Sequence, residues 1–289
     1  MVSMTATAAT IRRDDSSWPT VTAALPAPLD QGSAFGIPEV DADGRVCGFQ
    51  EKPASPHPLP GDPGRAYASM GNYVFSAACL MRALRGAHRC GETDFGNHVL
   101  PRLLRTGQMF AYDFASNEVP GLNGYEEPAY WRDVGTVDAY FEAHQNTLGS
   151  EPRLDLFNPD WPILSSSYQG PVARVVGGEV DNCLLGAAPL IQRARVRNCI
   201  VRREAVVEEG ADLKDCIIMD YVRIGRGASL RRAIVDRHNR IAAGTDIGLD
   251  PGEDLRRYTV SPSGVVVVPR GRPTFYPRGT RRPGSRYGE

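Results

Sequence analysis

The sequence predicts an α/β region followed by a triangular parallel β-helix, and three observations carry that prediction. Up to about residue 150, alternating β-branched stretches are mixed with apolar residues at helical spacing. From Leu190 onward a 17-residue unit repeats in two phases. The repeating positions combine aliphatic, small and glycine residues, a mixture that opposes a helix.

Taken in order, residues 1–20 read as a disordered lead-in. Thr20 to Ala27 suggests a strand, and Phe35 to Phe49 a hairpin around Asp41-Ala42-Asp43-Gly44. Pro53 to Arg65 holds five prolines with Gly61 and Gly64, so it must be a loop. Strand character returns over Ser69 to Phe75. Ala77 to Leu84, Phe95 to Leu104 and Thr136 to Asn146 have helical spacing. This α/β domain is expected to span 21–150, with a linker over 151–170 that keeps neither period.

Beyond the linker, Leu190, Val207, Ile224 and Ile241 open four aligned stretches at intervals of 17. Cys199, Cys216 and Ala233 keep the same spacing. Seventeen is roughly three six-residue edges with one residue dropped at a corner, as a three-sided prism requires. Its narrow interior takes aliphatic and small side chains, and Gly210, Gly227 and Gly244 fall where the chain must turn. Each coil pairs its backbone with its neighbours, so only the ends need caps or partners. The β-helix is expected over 171–268, with Val265 to Val268 as an edge or cap. Residues 269–289 carry six arginines against Glu289 and read as a flexible basic tail.

Composition narrows the function. The 33 basic and 34 acidic residues nearly cancel, which disfavours nucleic acid or an anionic membrane as partner. No segment approaches a membrane span and residues 1–20 lack a signal-peptide core, so a cytoplasmic protein is expected. Cys47, Cys79, Cys90, Cys183, Cys199 and Cys216 form no metal or disulfide pattern and are expected to be reduced, mostly core thiols.

Three short constellations could carry chemistry. Phe49-Gln50-Glu51-Lys52-Pro53 sets a carboxylate beside Lys52, which shares lysine identity only with Lys214 in this arginine-rich chain. A carboxylate accepts bonds from hydroxyls and an ammonium pairs with phosphate, so the pair suits a sugar phosphate. A surface ion pair is the plain alternative. Ser69-Met70-Gly71 brings a hydroxyl and a glycine to a strand, which would allow close approach of a ligand. Tyr130-Trp131-Arg132-Asp133-Val134-Gly135-Thr136 puts Asp133 before a helix, where it could cap that helix or bind Mg²⁺.

In this order and ahead of a β-helix, these motifs resemble the bacterial glucose-1-phosphate adenylyltransferases (ADP-glucose pyrophosphorylases) of glycogen synthesis. The likeness runs from about Val21 to about Arg270 and includes Ser33-Ala34-Phe35-Gly36, Pro60-Gly61-Asp62-Pro63, Asp94-Phe95-Gly96, Asn158-Pro159-Asp160-Trp161-Pro162-Ile163 and Val235-Asp236-Arg237. It implies a partial nucleotidyltransferase domain, Rossmann-like with a mixed sheet, ahead of a β-helix of hexapeptide type. By resemblance, Gly36, Glu51, Lys52 and Ser69 bind glucose 1-phosphate, and Asp133 is one of two metal-binding aspartates. Arg237 matches an arginine of the allosteric nucleotide site, and Arg270 lies near the family's sugar-bisphosphate effector segment. The implied reaction joins glucose 1-phosphate to ATP, giving ADP-glucose and pyrophosphate, with Mg²⁺ as cofactor.

Family members begin with a glycine-rich loop that cradles ATP and with strands carrying the other metal aspartate; residues 1–20 stand in their place here. Backbone amides of such a loop hold nucleotide phosphates. The expectation is therefore a chain that binds the sugar phosphate, does not bind ATP, holds Mg²⁺ poorly and is inactive alone, working within a homo- or hetero-oligomer. The competing readings are a non-catalytic regulatory or scaffold subunit, a gene fragment, and a hexapeptide acyltransferase with His238 as general base.

Overall fold

The computed structural model describes residues 20–106, 109–164, 168 and 170–273; the expected lead-in up to residue 19 and the tail from residue 274 lie outside the described residues. It divides into two compact units, one ending at Gly121 and the other beginning at Leu122.

In the first unit, β1 (Thr20–Pro28) is the middle strand of three. Its residues Thr20 to Ala24 are buried, as a central strand requires. A hairpin of β2 (Gly36–Val40) and β3 (Val46–Glu51) follows, turning through Asp41, whose carboxylate accepts the Asp43 and Arg45 N–H groups. Strand β4 (Arg65–Phe75) pairs antiparallel with β1 and starts four residues earlier than the strand pattern suggested, directly at the end of the proline loop. Helix α1 (Ala77–Arg89) is capped by Ser76 and buries Cys79, Ala83 and Ala87, one residue per turn. It runs past the expected end at Leu84, because small Ala87 extends the buried stripe. Asp94 caps a π-turn over Phe95–Val99 that leads into α2 (Leu100–Thr106). The short β5 (Met109–Asp113), absent from the strand pattern read above, adds parallel to β1.

The second unit opens with a loop and α3 (Val137–Gln145), capped by Thr136. Residues 151–155 pack back on that loop, where buried Glu126 accepts the N–H groups of Asn123 and Asp155. The β-helix follows. Its first two coils carry long strands, β6 (Arg174–Asp181) and β8 (Leu190–Arg197), with the short β7 (Leu184–Leu185) between them. Later coils break into β9 (Ile200–Val201), β10 (Val206–Val207), β11 (Asp212–Lys214), β12 (Ile217–Ile218), β13 (Arg223–Ile224), β14 (Ser229–Arg231), β15 (Ala233–Val235), β16 (Arg240–Ile241) and β17 (Asp246–Ile247). All these strands stack in parallel, coil on coil.

Each coil turns at three corners, and each corner holds a left-handed residue. One series runs Gly177, Arg193, Gly210, Gly227, Gly244; the second Asn182, Asn198, Asp215, Arg232; the third Ala188, Glu204, Tyr221, His238. The predicted glycine corners are thus observed, and Asn and Asp at the second series suit the same conformation. The interior is the predicted mixture: Ile191, Val207, Ile224 and Ile241 line one face, Val196, Leu213, Leu230 and Ile247 the next, with Ala194, Ala211 and Ala228 at a corner. Each fully buried aliphatic contributes about 1.5–3 kcal/mol.

Two expectations need correcting. Val207 pairs with Ile191, not Leu190, because the coils before it are 16 residues apart; the added residue enters at the Glu209-Gly210 corner, where β8 passes unbroken. Of the six cysteines, Cys79, Cys199 and Cys216 are buried, Cys183 is half-buried, and Cys47 and Cys90 are exposed. The last stretch stacks as a further rung: β19 (Val266–Val268) lies parallel on β15, with β18 (Thr259–Val260) antiparallel at its edge. Before it, α4 (Pro251–Arg257) is capped by Asp250.

Candidate functional site

In the first unit, register places the site. Gly36 lies opposite Glu51 in the hairpin, at the end where both strands stop. A Cβ on Gly36 would stand 3.0 Å from Glu51 Oε2 and 2.5 Å from the Phe49 ring. A Cβ on Gly96 would come within 2.7 Å of the same oxygen. Two glycines from distant segments therefore make room for one exposed carboxylate. Lys52 follows with φ 46°, although it precedes Pro53 and such residues prefer extended backbone. Its N–H donates to the Phe35 carbonyl at 3.0 Å. A left-handed, non-glycine residue costs roughly 1–2 kcal/mol, strain of the kind that collects at functional sites.

Ser69 is brought in by an irregularity of β4. Opposite β1, Ala24 pairs with Ser69 and Thr22 with Tyr73, so three residues of β4 face one of β1. Gly71 takes the left-handed turn this needs, at φ 70°, with no protein atom crowding it. The looped-out residues let Ser69 Oγ and Tyr73 Oη meet at 3.3 Å, and Gly71 N–H donates to Ser69 Oγ. Burial raises the Tyr73 pKa, the Ser69 bond lowers it, and the nearby Glu51 charge raises it again. Tyr73 thus joins Glu51 and Ser69 in one cluster of hydroxyl and carboxylate oxygens. Tyr73 and Gly96 were not among the residues assigned from sequence; the glycine two residues before Tyr73 and the Asp94-Phe95-Gly96 stretch were the signals available.

In the second unit Asp133 is exposed and one carboxylate oxygen accepts the Gly135 N–H at 3.2 Å. It does not cap α3, because Thr136 does. The capping alternative therefore falls. Among the described residues no group of three or more His, Cys, Asp or Glu is assembled for a metal ion.

Arg237 and Arg270 meet at one corner of the prism. Gly271 N–H donates to the Arg237 carbonyl at 3.1 Å, and Asn239 Nδ2 to the Pro269 carbonyl at 2.8 Å. Between them His238 stacks on Tyr221, the ring centroids 5.2 Å apart, and Arg203 lies over the Tyr221 ring. Burial lowers the His238 pKa first, the Arg270 and Arg237 charges lower it further, and the Asp220 and Asp236 charges partly oppose them. Asp220, buried beneath, holds Arg202 at 3.1 Å. The corner thus gathers arginines and aromatic rings, offset in part by Asp236, 3.7 Å from Arg237 Nε, and by Asp220.

Comparison with known proteins gives the same order of two regions. The family model described as nucleotidyl transferase matches residues 3–150. The chain belongs to the nucleotidyl transferase family. A model for the GlmU-like C-terminal hexapeptide region matches residues 172–268 of this chain. It is 43% identical over 249 residues to the glucose-1-phosphate adenylyltransferase of Thermodesulfovibrio yellowstonii, covering 86% of this chain and 61% of the relative. Against the enzyme of the same name from Thermus thermophilus it is 45% identical over 260 residues, covering 86% and 62%. The Nocardia farcinica protein gives 44% over 260 residues, covering 89% and 64%. The chain thus spans 61% to 64% of the length of these curated relatives. Among the described residues, no helix is long and apolar enough to cross a membrane.

Proposed function

We propose that this chain serves glucose-1-phosphate adenylyltransferase chemistry and contributes the sugar-phosphate side of the site. The observation that carries the reading is the Glu51 carboxylate, for which Gly36 and Gly96 both leave room, beside the Ser69–Tyr73 hydroxyl pair. Glu51 accepts hydrogen bonds from glucose hydroxyls, Ser69 and Tyr73 offer further donors, and the Lys52 ammonium holds the phosphate.

A phosphate oxygen of glucose 1-phosphate attacks the α-phosphorus of ATP in line. The new P–O bond gives ADP-glucose, and the bond to the β-phosphate breaks to release pyrophosphate; no enzyme-bound covalent intermediate is required. Asp133 fits Mg²⁺ as a single oxygen ligand, since its carboxylate is exposed and among the described residues accepts the Gly135 N–H, so other oxygen ligands and water would complete the shell. When bound, the ion offsets charge that builds on the phosphoryl oxygens.

A second role belongs to the Arg237–Arg270 corner, read as an effector site for a phosphorylated metabolite. Assembly with another chain is favoured at the first coil, where β6 pairs with β8 and exposes Val175 and Val176. Light scattering is expected to give a multiple of the chain mass.

Isothermal titration calorimetry of the full chain tests the main reading. Glucose 1-phosphate is expected to bind better than glucose 6-phosphate or inorganic phosphate, and Glu51→Gln to weaken it about tenfold, ~1.4 kcal/mol. Equal binding by the variant and the parent chain, at matched stability, would overturn it.

A further inference from the structure

We propose that Arg132 is a positioning residue that sets the place and orientation of Asp133. The inference rests on reading Asp133 as an oxygen ligand for a divalent cation. Arg132 turns back on its own loop rather than outward. Its Nη1 donates to Glu127 Oε1 at 2.8 Å and its Nη2 to Glu127 Oε2 at 2.5 Å, a two-point fork. Nη1 also donates to the Trp131 carbonyl at 2.8 Å, and the guanidinium lies 4.4 Å over the Tyr130 ring.

The fork closes residues 127–132 into a ring whose ends are tied down elsewhere in the same unit. Glu127 N–H donates to the Arg153 carbonyl at 3.0 Å. Tyr130 Oη donates to the Ala143 carbonyl of α3 and accepts from Asn146. Asp133 emerges directly from this ring and the Thr136 cap fixes the chain on its other side.

Inside the ring, Ala129 is buried and left-handed at φ 52°. Among the described residues, the left-handed non-glycine positions off the prism corners are Lys52 and Ala129. The first adjoins Glu51 and the second lies in the loop that presents Asp133. A strained turn persists only where its surroundings over-determine it, and the Arg132–Glu127 fork supplies that constraint. Arginine is required because the planar fork fixes direction as well as distance, which a lysine ammonium cannot do.

The test uses Mn²⁺ as the probe and the full chain labelled with 5-fluorotryptophan. Trp131 then reports, by paramagnetic broadening of its fluorine signal, on a cation held next door at Asp133. As Mn²⁺ is titrated in, the parent chain is expected to lose the Trp131 signal and Asp133→Asn to keep it over the same range. Arg132→Lys retains the charge but loses the fork, and it should need about tenfold more Mn²⁺. Arg132→Gln should weaken binding likewise, against simple electrostatics, which predicts tighter cation binding once a neighbouring positive charge is gone. Unchanged broadening in the folded Arg132→Lys variant, or tighter binding in Arg132→Gln, would overturn the proposal. Equal broadening in Asp133→Asn and the parent would instead sink the reading of Asp133, and the positioning role with it. Should Arg132→Gln fail to fold, the lysine variant decides alone.

Discussion

The two units use left-handed backbone in opposite ways. In the β-helix it is periodic: one residue at each corner, renewed every 16 or 17 positions, with the register of the whole prism depending on it. In the first unit it has no period: glycines take it at Gly44, Gly61, Gly71, Gly91 and Gly121, and among the described residues the one non-glycine that takes it is Lys52, beside Glu51. Periodic left-handed corners build the fold, whereas the strained, non-glycine Lys52 lies next to a residue proposed to bind substrate. Ala129 extends the rule to the second unit, since it is left-handed off the corners and lies in the loop ahead of Asp133.

Substitutions can break or sharpen that contrast. The largest effect is expected in the prism interior, where Leu213 is stacked between Val196 and Leu230. Leu213→Ala should cost about 2–5 kcal/mol in urea unfolding, since neighbouring rungs cannot collapse into the gap. A smaller loss would show that the coils are looser than their packing. Next, Gly71→Ala forces a Cβ onto a left-handed residue and should cost about 1–2 kcal/mol while parting Ser69 from Tyr73. Gly96→Ala should leave the unfolding midpoint almost unchanged, because the crowded atom is the free end of Glu51. It should weaken glucose 1-phosphate by about tenfold, ~1.4 kcal/mol, in calorimetry. Loss of stability without loss of binding would make Gly96 a packing residue only.

The smallest effect is that of pH. His144 is held neutral: burial lowers its pKa, the Tyr140 carbonyl raises it and the Arg202 charge lowers it. The unfolded chain takes up a proton near the ordinary value of 6.5, the folded chain only at lower pH. Stability should therefore be flat above that value and fall as pH drops through it towards the folded pKa. Thermal melts of the parent and of His144→Gln check this, the variant showing the shallower decline.

Much of the prism was readable because parallel, in-register stacking demands the same kind of residue at the same place in each coil. The one error of register came from Leu190-Ile191, two adjacent aliphatics either of which can begin a repeat; only the pairing of Val207 with Ile191 settles which points inward. Helix α4 carried a full start signal in Asp250, Pro251 and Glu253, yet its short apolar stripe gave no helical period to read. At the candidate site, Glu51, Lys52 and Ser69 stood out by residue type. The convergence of Gly36 and Gly96 on Glu51 did not, because it arises from segments about sixty residues apart and has no period. The left-handed Lys52 runs against the local rule for a residue before proline, so no pattern along the chain could announce it.

The Glu209-Gly210 corner absorbs a single added residue while the faces on either side keep their partners, so in this stack length can vary at a corner and not along a face. A prism built this way can gain or lose a residue at a corner while the rungs on either side keep their register.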